Sequence, residues 1–130
     1  MAKPVLNIEL DPGPWKDPKW ADHRATGGRL SGRVIMSSDE AVTCRKLFVR
    51  VGWITEGRGD TNTEHCFETT LFEGQVPLIE TSYEFSCVLP LGPMSYSGHY
   101  INIMWQVHAQ LDLSWRVDPK ATKQFFLTVP

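Results

Sequence analysis

Residues 98–113, GHYINIMWQVHAQLDL, decide the fold. From Ile101 every second residue is apolar or small: Ile101, Ile103, Trp105, Val107, Ala109, Leu111 and Leu113. Between them stand Asn102, Gln106, His108, Gln110 and Asp112, with Met104 the apolar interruption. A period of two puts the two sets on opposite faces of an extended chain. The stretch is therefore a strand with one buried and one wet face. At about 3.3 Å per residue it would run roughly 40 Å, which is long for a strand. Such a strand is expected to cross the domain at the centre of a sheet.

The flanking sequence repeats the pattern. Residues 91–98 (LGPMSYSG) form a bend, and residues 79–90 are a strand with Tyr83, Phe85, Cys87 and Leu89 on one face. Residues 73–75 are a turn. Residues 64–72 are a more polar strand suited to a sheet edge. Residues 56–63 (EGRGDTNT) have the composition of a turn. In residues 41–55, Leu47, Val49, Val51 and Trp53 alternate with Lys46, Phe48, Arg50 and Gly52. Residues 28–37 align Leu30, Gly32, Val34 and Met36, and residues 4–10 form a first strand whose Pro4 suits its start. Residues 115–122 connect the long strand to a last one, residues 123–129. No segment has helical periodicity. The expectation is an all-β, immunoglobulin-like antiparallel β-sandwich of about seven strands. Residues 1–130 are read as one domain, long enough for a core of its own.

An ordinary immunoglobulin domain is not expected. Trp53 lies only nine residues after Cys44, on the same strand, and Tyr83 lies four before Cys87. Neither the inter-sheet disulfide with its tryptophan nor the tyrosine corner has that spacing. Three cysteines, Cys44, Cys66 and Cys87, and a start without a basic, apolar leader suggest free thiols in a cytoplasmic protein. The net charge of −2 gives no electrostatic case for nucleic acid. No apolar run reaches the length of a membrane span. The four histidines and three cysteines show no metal-ligand spacing, and no nucleophile elbow, phosphate loop or paired-carboxylate signature occurs. No cofactor and no enzymatic activity are expected.

Residues 83–113 resemble the arrestin fold. In that family a strand ends in an F-x-x-P element, a proline loop leads to S-Y-x-G, and a long alternating strand follows. The corresponding residues here run from Phe85 to Pro90, one to two residues longer than the shortest family form, through Pro93, then Ser95-Tyr96-Ser97-Gly98, then Ile101 onward. Leu30-Ser31-Gly32-Arg33-Val34 resembles the family's L-x-G-x-V strand, and Leu47 to Val51 (LFVRV) its third strand. The likeness is carried by order and spacing over residues 28–129. The family includes arrestins, alpha-arrestins, the small retromer subunit and bacterial sporulation-control proteins of arrestin type. The resemblance implies a non-enzymatic adaptor that binds proteins through loops or strand edges. Those proteins carry two lobes in tandem, and this length suits one. The first strand lacks the paired lysines of a phosphate sensor, with Lys3 alone before it. Tyr96 is expected to tuck under one end of the sandwich and bond its hydroxyl to backbone.

The candidate partner-binding residues are Trp15, Trp20, Arg58 and Asp60. Trp15 and Trp20 lie in the long connection 11–28 with Pro12, Pro14 and Pro18. They either fold back as a lid over one end of the core or present a partner-binding patch. Arg58-Gly59-Asp60 spells the integrin tripeptide but reads as a hairpin turn. Asp112, Arg116 and Asp118 around Trp115 are placed to form surface ion pairs. A protein partner is expected, and an open edge also allows a homo-oligomer. A carbohydrate-binding module, with Trp15 and Trp20 as stacking platforms, is the alternative.

Overall fold

Two β-sheets follow from these alternations. The computed structural model describes residues 4–113 and 117–129. In chain order its strands are β1 (Val5–Leu10), β2 (His23–Ala25), β3 (Arg29–Ser37), β4 (Thr43–Gly57), β5 (Asp60–Gln75), β6 (Thr81–Val88), β7 (Tyr96–Ser97), β8 (Ile101–Leu113) and β9 (Lys120–Thr128). The smaller sheet has the order β1-β3-β6, and the larger β2-β9-β8-β4-β5 with β7 added on β8. Two short strands, β2 and β7, bring the total among the described residues to nine rather than seven. β2 runs parallel to β9 (His23 opposite Phe126), so the larger sheet is mixed. All other pairs are antiparallel.

β8 is the central strand, with β4 along its whole length and β9 on its other side. Its inward set behaves as the period demands: Trp105, Val107, Ala109 and Leu111 are buried. Leu47, Val49 and Val51 of β4, Phe125 and Leu127 of β9, Leu30, Val34 and Met36 of β3, and Phe85 and Cys87 of β6 complete the core. Trp105 sits between Trp53 and Phe125, with ring centroids 4.9 and 5.8 Å away. Its indole nitrogen donates to the Pro93 carbonyl at 2.7 Å. The bend before β8, which contains a cis Gly92-Pro93 bond, is thereby held to the core. Ser95 completes the attachment by exchanging hydrogen bonds with the Leu127 backbone at 3.0 and 2.9 Å.

Tyr96 departs from expectation. It is exposed, and its ring lies over Gly98, where an added Cβ would come within 2.4 Å of it. Trp105 already fills the position under the bend, so the tyrosine lies on the outside.

The expected turn at residues 56–63 is nearly all strand. β4 and β5 pair out to Gly57 opposite Asp60, leaving Arg58 and Gly59 as a two-residue turn. Both have positive φ, +49° and +85°, as a type I′ turn requires. The polar residues that read as loop are polar because residues 60–66 are exposed throughout. Residues 73–75 likewise stay in β5, with Gly74 at φ +110°. β5 is an edge strand as expected, but 16 residues long.

The cluster expected around Trp115 and Arg116 lies outside the described residues, as does Lys3. Asp118 has another use: its carboxylate accepts from Gln110 Nε2 at 2.6 Å and from the Leu113 amide at 2.9 Å, closing the end of β8.

Candidate functional site

The long connection after β1 is anchored by Arg24 of β2, the one charged residue buried among those described. Its guanidinium donates to the carbonyls of Ala21, His23 and Asp11, each at 2.8 Å. Burial pulls its pKa down, and the nearby carboxylates of Asp22 and Asp11 oppose that. A buried charge is tolerated only when hydrogen-bonded in this way. Gly13 passes so close to the His23 carbonyl that an added Cβ would meet it at 2.5 Å.

This anchoring settles the two tryptophans differently. Trp15 is half-buried and lines an open cleft of about 770 Å³ between β1 and β9, beside Lys16, Pro18, Lys123 and Phe125. Trp20, in a single 3-10 turn at Pro18–Trp20, is 40% exposed. Neither belongs to the core cluster, so the lid reading is not what the structure shows. The Trp20 ring stands edge-on to His23 at 4.7 Å, and His23 stacks on Phe126 at 4.9 Å. Phe126 is 50% exposed. Trp20, His23 and Phe126 form a continuous aromatic surface beside the ammonium of Lys19, 5.2 Å from the Trp20 ring. No ring contact joins Trp15 to Trp20 among the described residues.

Arg58 and Asp60 are in a different place. Arg58 is in the β4–β5 turn and Asp60 follows it, and the Arg58 guanidinium lies 5.5 Å from the ring of exposed Tyr100. The four sequence candidates thus fall in two groups, Trp15 with Trp20 and Arg58 with Asp60. Phe126 and Tyr100 are not legible from the sequence because their contacts with His23 and Arg58 join segments distant in it, and His23 gains its place in the surface through Phe126. An exposed aromatic on the wet face of β9 was the available signal for Phe126.

Among the described residues the outer face of the larger sheet holds one buried aromatic. Phe48 is only 4% exposed, with the Lys46 ammonium at 5.0 Å and the Arg50 guanidinium at 4.6 Å from its ring centre. Arg50 also pairs with Glu68 across to β5, which holds the Glu68 carboxyl below its ordinary range. The cations thus serve as a cover for an outward phenylalanine.

Among the described residues each sheet has two end strands, β1 and β6 in the smaller and β2 and β5 in the larger. β5 pairs with β4 alone, and β6 with β3 alone. They face each other across the open side of the sandwich. A cleft of about 830 Å³ between them is lined by Phe67, Thr69 and Leu71 of β5 and by Tyr83, Phe85 and Ser86 of β6. β5 is irregular above this cleft. Cys66 is an extra residue between the pairs Val51–Phe67 and Gly52–His65, a β-bulge. Gly52 makes room for it: a Cβ there would lie 2.0 Å from the Glu64 carbonyl oxygen and 2.6 Å from His65 Cα.

The chemistry-bearing side chains are not gathered. Cys44, Cys66 and Cys87 are free; burial pushes the thiols of Cys44 and Cys87 up, Cys87 to about 11, and partial desolvation of its sulfur raises that of the otherwise exposed Cys66. That is opposite to what a nucleophilic thiolate needs. The His108 ring contacts Gln110 Oε1 at 3.0 Å and Thr122 Oγ1 at 3.4 Å. Among the described residues no group of three His, Cys, Asp or Glu is placed to hold a metal ion, and no helix is long and apolar enough to cross a membrane.

The architecture is that of an arrestin-like β-sandwich lobe. Among solved structures, the chain is similar to the sporulation control protein Spo0M from Bacillus subtilis, with a TM-score of 0.75 and 14% sequence identity. The similarity covers 100% of this chain and 51% of that one, so the chain spans about half the length of the Spo0M structure. No protein-family model and no curated protein matches the sequence.

Proposed function

We propose that this chain is a non-enzymatic protein-interaction lobe of arrestin type, working as a single domain in the cytoplasm. The observation that carries the reading is the aromatic surface of Trp20, His23 and Phe126. Large aromatics left half in water, Trp20 on a connection tied down by a buried arginine and Phe126 on β9, have the character of interface anchors. Little flexibility is lost when a partner covers them. Trp15, and Arg58 with Asp60 on the turn, are secondary candidate contacts. Three free thiols accord with a reducing compartment. The carbohydrate-binding alternative is less well supported. Trp20 is tilted 84° to His23, and no ring contact with Trp15 builds a shared flat platform.

The test compares wild type with Trp20→Ala/Phe126→Ser in affinity capture from lysate of the source cell, followed by titration of the partner identified. Both side chains are outside the core, so circular dichroism should show the variant folded. Loss of about 30-fold in affinity, the effect of one interface hot spot of about 2 kcal/mol, is expected. A partner bound equally by both proteins would move the surface elsewhere. Retention of glycans but no protein would overturn the reading.

A further inference from the structure

From the end of the sandwich that carries β7 we infer that two copies of this chain pair face to face, through a surface that the function proposed above does not use. The sequence marks the place. Between Glu84 and Asp112 there is no Asp, Glu, Lys or Arg, the longest uncharged run in the chain. The inward set of β8 accounts for part of it, because Trp105, Val107, Ala109 and Leu111 are core. The bend and the start of β8 have no such reason. Leu91, Met94, Tyr96, Tyr100 and Ile101 all stand in water, from 40% exposed for Ile101 to 83% for Leu91. The ladders put them at one end: β6 stops at Val88 opposite Arg29, and β4 stops at Gly57 opposite Ile101. Val129, 63% exposed, follows β9 at the same end, where the Thr26 amide donates to the Thr128 carbonyl at 2.9 Å. The bend is fixed there by backbone. The Leu89 amide donates to the Gly28 carbonyl at 2.7 Å, and the Gly27 amide to the Pro90 carbonyl at 3.2 Å. Covering such a face costs little order.

Its size fits a dimer. At about 200 Å² for a large side chain, the exposed fractions of these six residues leave roughly 700 Å². The largest apolar patch of an ordinary monomer is about 300–600 Å², and one side of a stable interface covers about 600–1,000 Å². Charge then selects the occupant. The neighbouring β4–β5 turn carries Arg58 and Asp60, both exposed. Among the described residues neither is in an ion pair, Arg58 donates to no oxygen and lies over the Tyr100 ring, and Asp60 accepts no side-chain hydrogen bond. Arg29 is turned to the outer face of the smaller sheet, where it donates to Ser86 Oγ at 2.8 Å. The rim next to the apolar face therefore holds one free cation and one free anion. A strongly charged partner gains nothing from that pair. A second copy related by a two-fold axis brings its own Asp60 to Arg58 and its Arg58 to Asp60, and lays the same uncharged face on this one.

Sedimentation equilibrium of the full chain, from about 1 μM to 1 mM, spans the constants of weak and moderate dimers. A reversible monomer–dimer equilibrium is expected. Leu91→Ser/Tyr100→Ser, altered only at exposed positions and checked for folding by circular dichroism, should weaken it at least about tenfold, as the loss of central anchors does. Arg58→Asp alone and Asp60→Arg alone should each weaken it, because like charges then meet. Arg58→Asp/Asp60→Arg should restore it, as should mixing the two single variants. A dimer untouched by the Leu91/Tyr100 change would overturn this face, and failure of both rescues would overturn the two-fold charge pairing. A wild type that stays monomeric at 1 mM overturns the inference. A monomer that sediments with phosphatidylcholine vesicles only when Leu91 and Tyr100 are intact would assign the face to a lipid surface instead.

Discussion

Trp105 is the largest fully buried side chain among the described residues. It is fully buried, touches two other aromatic rings, and ties the Pro93 bend through its indole N–H. Trp105→Ala should cost about 3–5 kcal/mol in urea unfolding, as for other buried aromatics. Trp105→Phe should recover part of that loss but not the hydrogen bond to the bend. Cys87 makes a second prediction at this scale. Burial, with Cys66 nearby, raises its thiol to about 11, whereas in an unfolded chain it titrates near 8.5. The folded state thus favours the neutral thiol. Its contribution is complete below the unfolded value and is lost as pH climbs through the folded one. Stability of the wild type should fall between about pH 8.5 and 11. Cys87→Ala, although less stable throughout, should show a flatter profile over that range.

At the scale of elements, the pairing of β4 with β5 depends on a missing side chain. Gly52 lets the β5 backbone at Glu64 and His65 press against β4 where Cys66 bulges out. In Gly52→Ala the new methyl would meet backbone, not a flexible side-chain tip. The hairpin must shift or open, at about 1–3 kcal/mol, the range of other overpacking changes. Faster amide exchange in residues 60–66 than in β8 would be the direct sign of this. The sequence alternation identified β1, β3, β4, β6 and β8 because each has one dry face. It failed where both faces are wet. Thr61, Asn62 and Thr63 pair with Glu56, Thr55 and Ile54 yet have the composition of a loop. β2 and β7, at three and two residues, are too short to show any period.

In the whole molecule, the sheets leave two open sides, and they are managed differently. On the β1–β9 side the connection of residues 11–22 runs across the gap, held by Arg24. Arg24→Met would strand three carbonyls without their donor and should cost about 3 kcal/mol. Limited proteolysis should then cut first within residues 13–22, with β8 still protected. On the β5–β6 side the connection of residues 76–80 passes from one sheet to the other, and the rings of Phe72 and Tyr83 meet with centroids 5.6 Å apart. Of the candidate site, the sequence revealed which side chains were unusual, Trp15, Trp20, Arg58 and Asp60, but not their neighbours. The aromatic surface arises because parallel pairing of β2 with β9 brings His23 level with Phe126. No local pattern encodes that meeting across some hundred residues.

The contact between Trp53 and Trp105 has an optical consequence. Two indoles 4.9 Å apart and tilted by 41° share their electronic excitations, so their transitions should split into a paired positive and negative band in circular dichroism. One ring belongs to β4 and the other to β8, so the paired band reports directly on whether the two longest inward-facing strands are in register. Replacing either tryptophan by phenylalanine should abolish it while the β-sheet signal remains, giving this chain a built-in gauge of its own assembly.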